Sequence, residues 1–583
     1  MSAQQTIIGI DLGTTNSEVA VVIDGQPTII ADETGNKILP SVVGVNEDGE
    51  LLVGELALNQ SLLYPERTVR SIKRSMGKDE HVTLGDSSYT PQEISAMILK
   101  TLKNRAEQFL KTTVSKAVIT VPAYFNDAQR QATREAGEIA GLQVVRIINE
   151  PTAAALAYQS DLQQARKILV YDLGGGTFDV SIVDIQSGVV EVIASHGDNQ
   201  LGGDDFDEKI VQYFIDIIND DQGIDVTELS DSRKILSRLH HAAVAAKIAL
   251  SDRPYVNINE EFLAEKDGVP VHFSYELSRA SYEEMIEELI DKTFESVHIA
   301  LSSTGLTVSD LDEVLLVGGS TRTPMVINRI QKELRLTPQA SVNPDLCVAT
   351  GAAVQAAVIA GEKIDAVLVD ITPYTFGISA FGEMNGMPYP YVFVPLIHRN
   401  SVLPASKSEV FFTMHEDQKA AHIHVYQGEN PDAQLNTPIG EFLFDLKKTS
   451  EENPVVVNFD LDLNGILKVT AIEKKTGKEQ SIQIENAVSR MDETDMDGAR
   501  NRVGALFDDS EADDASDPDQ AMIEKAQALI EKATQMMEQA TSDDKEDIID
   551  QIEQINAAFK NRDLDALKEP MENLTDILYY LES

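Results

Sequence analysis

Apolar positions along the chain fall into three textures. From residue 7 to about 362, short β-branched runs alternate with amphipathic stretches: "AVITVPAYF" precedes the charged, Ala-rich "NDAQRQATREAGEIAGL", and "VVRIINE" precedes "PTAAALAYQ". That alternation predicts α/β layers. After the short apolar segment "DAVLVD" at 365–370, strands follow one another without helices, among them "SEVFFTM", "AHIHVYQGE", "PVVVNFDLD" and "GILKVTAIE". An antiparallel β unit running to about residue 487 is expected. The acidic "DDSEADDASDPD" then reads as a linker. Beyond it, Ile523, Ala526, Ile530, Ala533 and Met537 recur at helical spacing, followed by Ile548, Ile552, Ile555 and Phe559, and by Leu567, Met571, Leu574 and Leu578. These stripes predict three short helices in a small bundle, with Pro570 at a kink or a new start.

Composition narrows the picture. A chain of 583 residues exceeds one core and suggests about three or four units. Its one cysteine, Cys347, has no partner for an internal disulfide and fits a reducing compartment. No apolar run reaches the roughly 18 residues of a membrane span, and "MSAQQTIIGIDLG" lacks the basic start and apolar core of a signal peptide, so a cytoplasmic protein is expected. The formal charge of -48 argues against nucleic acids and anionic membranes as general partners. Such acidity reads either as a mark of a salty habitat or as a solubility device.

The chemistry concentrates in a repeated pattern. "LVYDLGGGTFDV" at 169–180 ends a strand at Asp172 and continues into Gly174, Gly175, Gly176 and Thr177, while "IGIDLGTTNSEVAVV" ends one at Asp11. Glycines let backbone N–H groups approach phosphate oxygens while a carboxylate faces a hydrated cation. A single such hairpin is common; the pair suggests two related subdomains closing on one nucleotide, with Asp11 and Asp172 both facing one Mg²⁺. "LLVGGSTRTP" adds Gly318, Gly319 and Ser320, with Arg322 placed to stack on a base, and "LGGDDFD" adds Gly202 and Gly203. Glu150 stands at a strand end before Pro151.

On these residues the sequence resembles the Hsp70 chaperone family over nearly its whole length. "IGIDLGTTNS", "VITVPAYFNDAQRQAT", "INEPTAAALAY", "YDLGGGTFDVS", "LVGGSTRTP" and "NPD" at 343–345 match the ATPase half; "DITPYTFGI", "VYQGEN" and "NGILKV" match the peptide-binding half. Within the family, "MHEDQ", "LKKT", the abbreviated "MGKDEHVTLGDSSYTPQE" and the short tail resemble the bacterial HscC branch. The resemblance implies a multidomain chain: an actin-like, duplicated ribonuclease H-like α/β ATPase domain at 1–362, an interdomain linker at 363–370, an antiparallel β-sandwich peptide-binding domain at 371–487 and a short helical lid at 488–583. It implies ATP or ADP with Mg²⁺ as ligands, K⁺ as a further candidate, extended hydrophobic polypeptides as clients and a J-domain co-chaperone as partner. A monomer is expected, and the need for an exchange factor is left open.

By similarity, Asp11, Gly13, Thr14 and Thr15 form the first phosphate loop, and Gly174 to Thr177 the second. Lys73 in "SIKRSMG" matches a lysine near the γ-phosphate, Glu150 and Asp172 position water and Mg²⁺, and the Thr177 hydroxyl lies near the same phosphate. Lys247 and Ser251 match nucleoside contacts, and Asp345 lies in the matching "NPD". Pro122 and Arg130 match a switch and relay, and Val367, Leu368, Val369 and Asp370 an interdomain linker. In the β unit the client-binding positions are Ile378, Phe381, Phe411, Met414, Ala421, Ile423 and Val455, with Phe381 and Met414 at the arch over the peptide; sandwich core is the competing reading. Val244 stands where the family usually has a glutamate for the ribose hydroxyls, which implies weakened nucleotide affinity and fast exchange. Gly498 and Gly504 weaken the first lid helix, implying incomplete closure. His422 and His424 share a strand face with His415 near, but no carboxylate or cysteine completes a metal spacing in the sequence, so they read as surface or groove histidines. Two other functions stay open: a sugar kinase or actin-like filament protein, because one cleft serves many activities, and a nucleotide-gated holdase with weak ATPase activity.

Overall fold

The computed structural model describes residues 6–157, 165–266, 269–339, 343–364, 367–449, 452–484, 491 and 493–514, with isolated positions at 545, 548, 551, 552, 554, 555, 570 and 574. By packing, the chain separates into two compact units, Met1–Val503 and Gly504–Ser583. The first holds every site discussed below.

The alternation seen in the sequence becomes two sheets of one topology. In the first, β1 (Ile7–Leu12), β2 (Asn16–Ile23) and β3 (Gln26–Ile29) form an antiparallel meander. On the other side of β1 lie two parallel strands, β4 (Lys116–Val121) and β5 (Gln143–Asn149), reached over α1 (Pro91–Leu110) and α2 (Asp127–Ile139). Both helices start on a reciprocal cap: Thr90 with Glu93, preceding Pro91, and Asn126 with Gln129. The short α3 (Glu150–Leu156) leaves β5 directly. The second sheet repeats the plan, with β6 (Arg166–Leu173), β7 (Phe178–Gln186) and β8 (Val189–Asp198) as its meander.

Helices α4 (Gly203–Gln222) and α5 (Ser232–Asp252), the hairpin β9 (Tyr255–Lys266) with β10 (Val269–Ser278), and α6 (Arg279–Thr304) build out the second half. β11 (Glu313–Val317) then pairs parallel with β6, as β4 does with β1. The buried residues of this half form one large cluster around Tyr171, whose hydroxyl donates to Thr293 Oγ1 at 2.6 Å. The Ala-rich α7 (Cys347–Ala360) packs closely on β1 and α3, with Gly351 against the Ala153 backbone. Cys347 is fully buried, and burial raises its thiol pKa, so it is core rather than a nucleophile.

The apolar segment after α7 is a strand, β12 (Val367–Val369), that extends the second sheet by pairing parallel with β8: Val189 faces Val367, Val190 faces Leu368 and Glu191 faces Val369. Residues 365 and 366 of "DAVLVD" lie outside the described residues.

The helix-free region is a sandwich of two four-stranded antiparallel sheets. One has the order β14 (Met387–Ile397), β13 (Phe376–Met384), β16 (Ala420–Gln427), β17 (Thr437–Asp445); the other β15 (Ala405–Phe412), β18 (Pro454–Leu461), β19 (Leu467–Glu473), β20 (Glu479–Ile484). Alternate residues such as Ile423, Val425, Val457, Phe459 and Val469 fill its core. α8 (Glu493–Asp514) runs through both Gly498 and Gly504, so these glycines do not break it. Most of the expected tail helices, including Ile523, Ala526, Ile530, Ala533, Met537, Phe559, Leu567, Met571 and Leu578, lie outside the described residues; Ile548, Ile555 and Leu574 are buried. Among the described residues, no helix is long and apolar enough to cross a membrane.

Candidate functional site

The two meanders place their first turns face to face. In the first loop Gly13 N–H donates to Ser17 Oγ (3.2 Å), and Ser41 Oγ donates to Gly13 O (2.8 Å). In the second, Gly174 N–H donates to Thr177 O at 3.1 Å. A Cβ on Gly175 would overlap the Thr15 hydroxyl, and one on Gly203 would lie 2.5 Å from Ser320 Oγ. The loops therefore approach closely because they lack side chains. Gly203 and Asp204 N–H donate to the carbonyls of Gly174 and Gly175, and Ser320 Oγ donates to Gly174 O at 2.9 Å. The loops expected from "LGTT", "LGGGT", "LGGDD" and "VGGS" thus meet in one cradle.

Carboxylates line the strand ends beneath it. Lys73, on a single 3₁₀ turn after a left-handed Ser71, is buried and donates to Glu150 Oε1 at 2.5 Å; its ammonium lies 5.6 Å from the centre of the Phe125 ring. Thr120 Oγ1 donates to Asp11 Oδ1 at 2.7 Å. Burial, then repulsion from Glu150, lifts the Asp11 carboxyl to about 7 although Lys73 and Thr120 pull it down. Burial and the charges of Glu150, Asp179 and Asp11 push Asp172 well above the carboxylate range. Asp179 is also raised, by burial first, although it accepts the backbone N–H groups of Ala123 (3.1 Å) and Tyr124 (3.0 Å). Asp172 Oδ2 is buried with no hydrogen-bond partner among the described residues.

A carboxylate oxygen without a donor, facing glycine loops too tight for side chains, suits a polyphosphate with its cation. Thr14, Thr177 and Asp172 are all buried here.

At the outer end, Lys247 donates to Gly203 O (3.0 Å) and Asp207 (2.7 Å), and burial raises the Asp207 carboxyl to about 6. Val244, Lys247 and Ser251 lie three and four residues apart on one face of α5. Arg322 is half exposed and donates to Asp345 Oδ2 at 2.6 Å, with Gly318 and Gly319 at the turn before it. Sequence reasoning missed Arg74 and Ser71, which link the first half to the second. Arg74 donates to Gly176 O (3.1 Å) and pairs with Asp205, and Ser71 Oγ donates to Asp204 Oδ2 (2.6 Å). Both lie within "SIKRSMG" and their partners within "LGGDDFD", but nothing in either stretch shows that the two meet.

The residues expected from the sequence to form a switch, relay and linker converge one step away. Arg130 is buried and donates to the carbonyls of Ala123 (3.0 Å) and Phe125 (3.1 Å) and to Asn149 Oδ1 (2.7 Å). Asn149 Nδ2 donates to both oxygens of Asp370, at 3.0 and 2.9 Å, and Thr152 Oγ1 to one at 3.3 Å. Burial raises the Asp370 carboxyl and lowers the Arg130 guanidinium. Pro122 ends the β4 turn, its carbonyl accepting from Phe125 N–H. The sandwich docks alongside: Tyr374 donates to Tyr124 O (2.6 Å) and Ile147 N–H to Asn464 Oδ1 (3.1 Å), while Arg502 of α8 donates to Glu93 (2.7 Å).

The client-binding candidates divide. Ile378, Ile423 and Val455 are buried in the sandwich core, Phe411 and Ala421 pack partly against it, and Phe381 and Met414 are 55% and 57% exposed.

Two α/β halves of one topology closing on glycine loops and buried carboxylates, joined to a docked β-sandwich, define a nucleotide-cleft protein with an appended strand-rich module. A family model described as Hsp70 protein matches residues 7–582, and the chain belongs to that family. It is a chaperone of the Hsp70 type; members of the family are ATPases that bind ATP or ADP with Mg²⁺, unfolded polypeptides and J-domain co-chaperones.

The carboxylate cluster predicts a pH effect of definite sign. Asp11 has a folded pKa of about 7, above its unfolded value, so its contribution to stability is complete below about pH 4 and is lost as pH rises through 7. Asp11→Asn should therefore raise the melting temperature of nucleotide-free protein at pH 8 by roughly 2–4 °C. Differential scanning calorimetry should show this gap shrinking as pH falls to 5; a gap that widens on acidification would contradict the assignment.

Proposed function

We propose that this chain couples slow ATP hydrolysis in the cleft to capture and release of extended hydrophobic segments by the sandwich. The observation that carries this reading is one of adjacency. Glu150, which holds Lys73 at 2.5 Å, directly follows Asn149, which holds Asp370 of the strand β12 segment. A shift at the phosphate end therefore has a two-residue route to the linker.

In this reading Gly13, Thr14, Thr15, Gly174 to Gly176, Gly202 and Gly203 hold the phosphates through backbone and hydroxyl donors, and Asp11 and Asp172 hold the cation, directly or through water. Gly318, Gly319, Ser320, Arg322, Asp345, Lys247 and Ser251 take the nucleoside. Mg²⁺ supplies charge neutralisation at the phosphate oxygens, and K⁺ is a further candidate ion. Lys73, fixed by Glu150, stabilises negative charge developing on the transferred phosphoryl group; Glu150, Asp172 and the Thr177 hydroxyl orient the attacking water. The divisions at 362, 370 and 487 follow the functional boundaries between ATPase, linker, peptide-binding and lid segments.

Arg130, Asn149 and Asp370 form the relay, with Pro122 setting the turn that orients Arg130. Docking of Val367, Leu368 and Val369 on β8 is one state and their release the other. ATP and client bias that equilibrium in opposite directions, as reciprocal coupling requires. Phe381 and Met414, exposed side chains, form the arch over a strand-like client, with Ile378, Phe411, Ala421, Ile423 and Val455 as pocket walls when the sandwich opens. The "MHEDQ", "VYQGEN" and "LKKT" stretches support the bacterial HscC branch and, with it, a cytoplasmic monomer. A sugar kinase or filament protein has no use for a docked strand-binding module, which disfavours those readings.

Lys73→Ala and Thr177→Ala should each lower the single-turnover hydrolysis rate, by roughly 10²–10³-fold for loss of a charge-stabilising group at Lys73, with nucleotide still bound. Rates equal to the wild type would refute the γ-phosphate assignment. At the ribose end, Val244→Glu restores a charged hydrogen bond worth roughly 1–3 kcal/mol. Stopped-flow release of a fluorescent ADP should slow accordingly, by about tenfold or more. Release as fast as in the wild type would show that Val244 does not face the ribose.

A further inference from the structure

The outer face of the sandwich holds a cluster that the nucleotide and client sites leave unused. Along β16 side chains alternate: Ile423 and Val425 enter the core, while His422 and His424 face out. The antiparallel register places Glu441 of β17 directly opposite His424 and Leu443 opposite His422. The carboxylate absent from the linear spacing is thus supplied across the ladder. Glu441 Oε2 lies 2.7 Å from His424 Nδ1 and 3.4 Å from His422 Nε2, and the imidazole centres stand 3.9 Å apart. One ligand atom from each residue falls within 4.8 Å of the others.

We propose that His422, His424 and Glu441 form a binding site for a divalent transition-metal ion of the zinc class, clamping β16 to β17. Two imidazoles and one carboxylate suit Zn²⁺ better than Mg²⁺ or Ca²⁺, which favour all-oxygen shells. Donors around a tetrahedral zinc, at bonds of roughly 2.0–2.1 Å, stand about 3.3 Å apart. The trio, with ligand atoms within 4.8 Å of one another, is close to that spacing. Both histidines flank Ile423, a core residue, so the strand carrying them is fixed before an ion arrives. The solvent side leaves a fourth position for water, and the strongly acidic chain draws cations toward its surface. The bound ion stiffens the strand that carries the client-pocket candidates Ala421 and Ile423.

Calorimetric titration of Zn²⁺ into the full, tag-free chain, stripped with chelator and held in excess Mg²⁺, tests the site. The wild type should bind one equivalent more than His424→Ala or Glu441→Gln, each of which should weaken that equivalent by at least the roughly 10–100-fold that loss of an outer-shell partner costs. Substituted Co²⁺ should give the visible absorption of a tetrahedral ion in the wild type and lose it in both variants. Both substitutions lie on a solvent-facing surface, and circular dichroism checks that they fold. No Zn²⁺ uptake by the wild type, or variants that bind as it does, would overturn the proposal.

Discussion

Lys73 stands 2.5 Å from Glu150, with Asp11, Asp172 and Asp179 close enough to feel its charge and each with its pKa raised mainly by burial. An uncompensated buried carboxylate is costly, and several in one place repel as well. The Lys73 ammonium lowers all three, yet one cation cannot offset the whole cluster. The uncompensated charge suits a cation, which is the role proposed above for Asp11 and Asp172. A local conflict that the rest of the fold must tolerate is a mark of function rather than of poor packing.

That constraint explains the arrangement around it. The strand ends holding the carboxylates come from two sheets of one topology, so the loops that follow them meet as mirror-like jaws. Beyond β8 the second sheet is extended by β12, which pairs with Val189–Glu191 and ties the segment after α7 to that sheet. Because Asn149 and Glu150 are consecutive, the residue that reads the linker through Asp370 and the one that holds Lys73 share a backbone. In the coupling proposed above, this adjacency is the route by which a displacement at one end reaches the other.

Much of this was legible before any coordinates. β-branched runs ending in aspartate and glycine marked the cradle, and the switch from alternating elements to consecutive strands marked the sandwich. The charged, Ala-rich "NDAQRQATREAGEIAGL" marked a helix after "AVITVPAYF", and α2 (Asp127–Ile139) lies within it. What the sequence hid were partnerships between distant residues. Arg74 meets Asp205 across 131 positions and Asn149 meets Asp370 across 221, and neither separation carries a periodic signal. Likewise Glu441 joins His424 through strand register, which spacing along the chain cannot display. The client-pocket candidates show the opposite limit: Ile378 and Ile423 read equally as groove or core, and here they are core, while Phe381 and Met414 stand exposed.

The central claim is that nucleotide in the cleft commands the sandwich through the docked linker. Release of a fluorescent hydrophobic peptide from the purified chain on mixing with ATP, compared with Leu368→Asp, tests it most directly. The account predicts rapid ATP-triggered release from the wild type and none from the variant, with nucleotide bound by both. Peptide release indifferent to ATP in the wild type, despite full nucleotide occupancy, would contradict it.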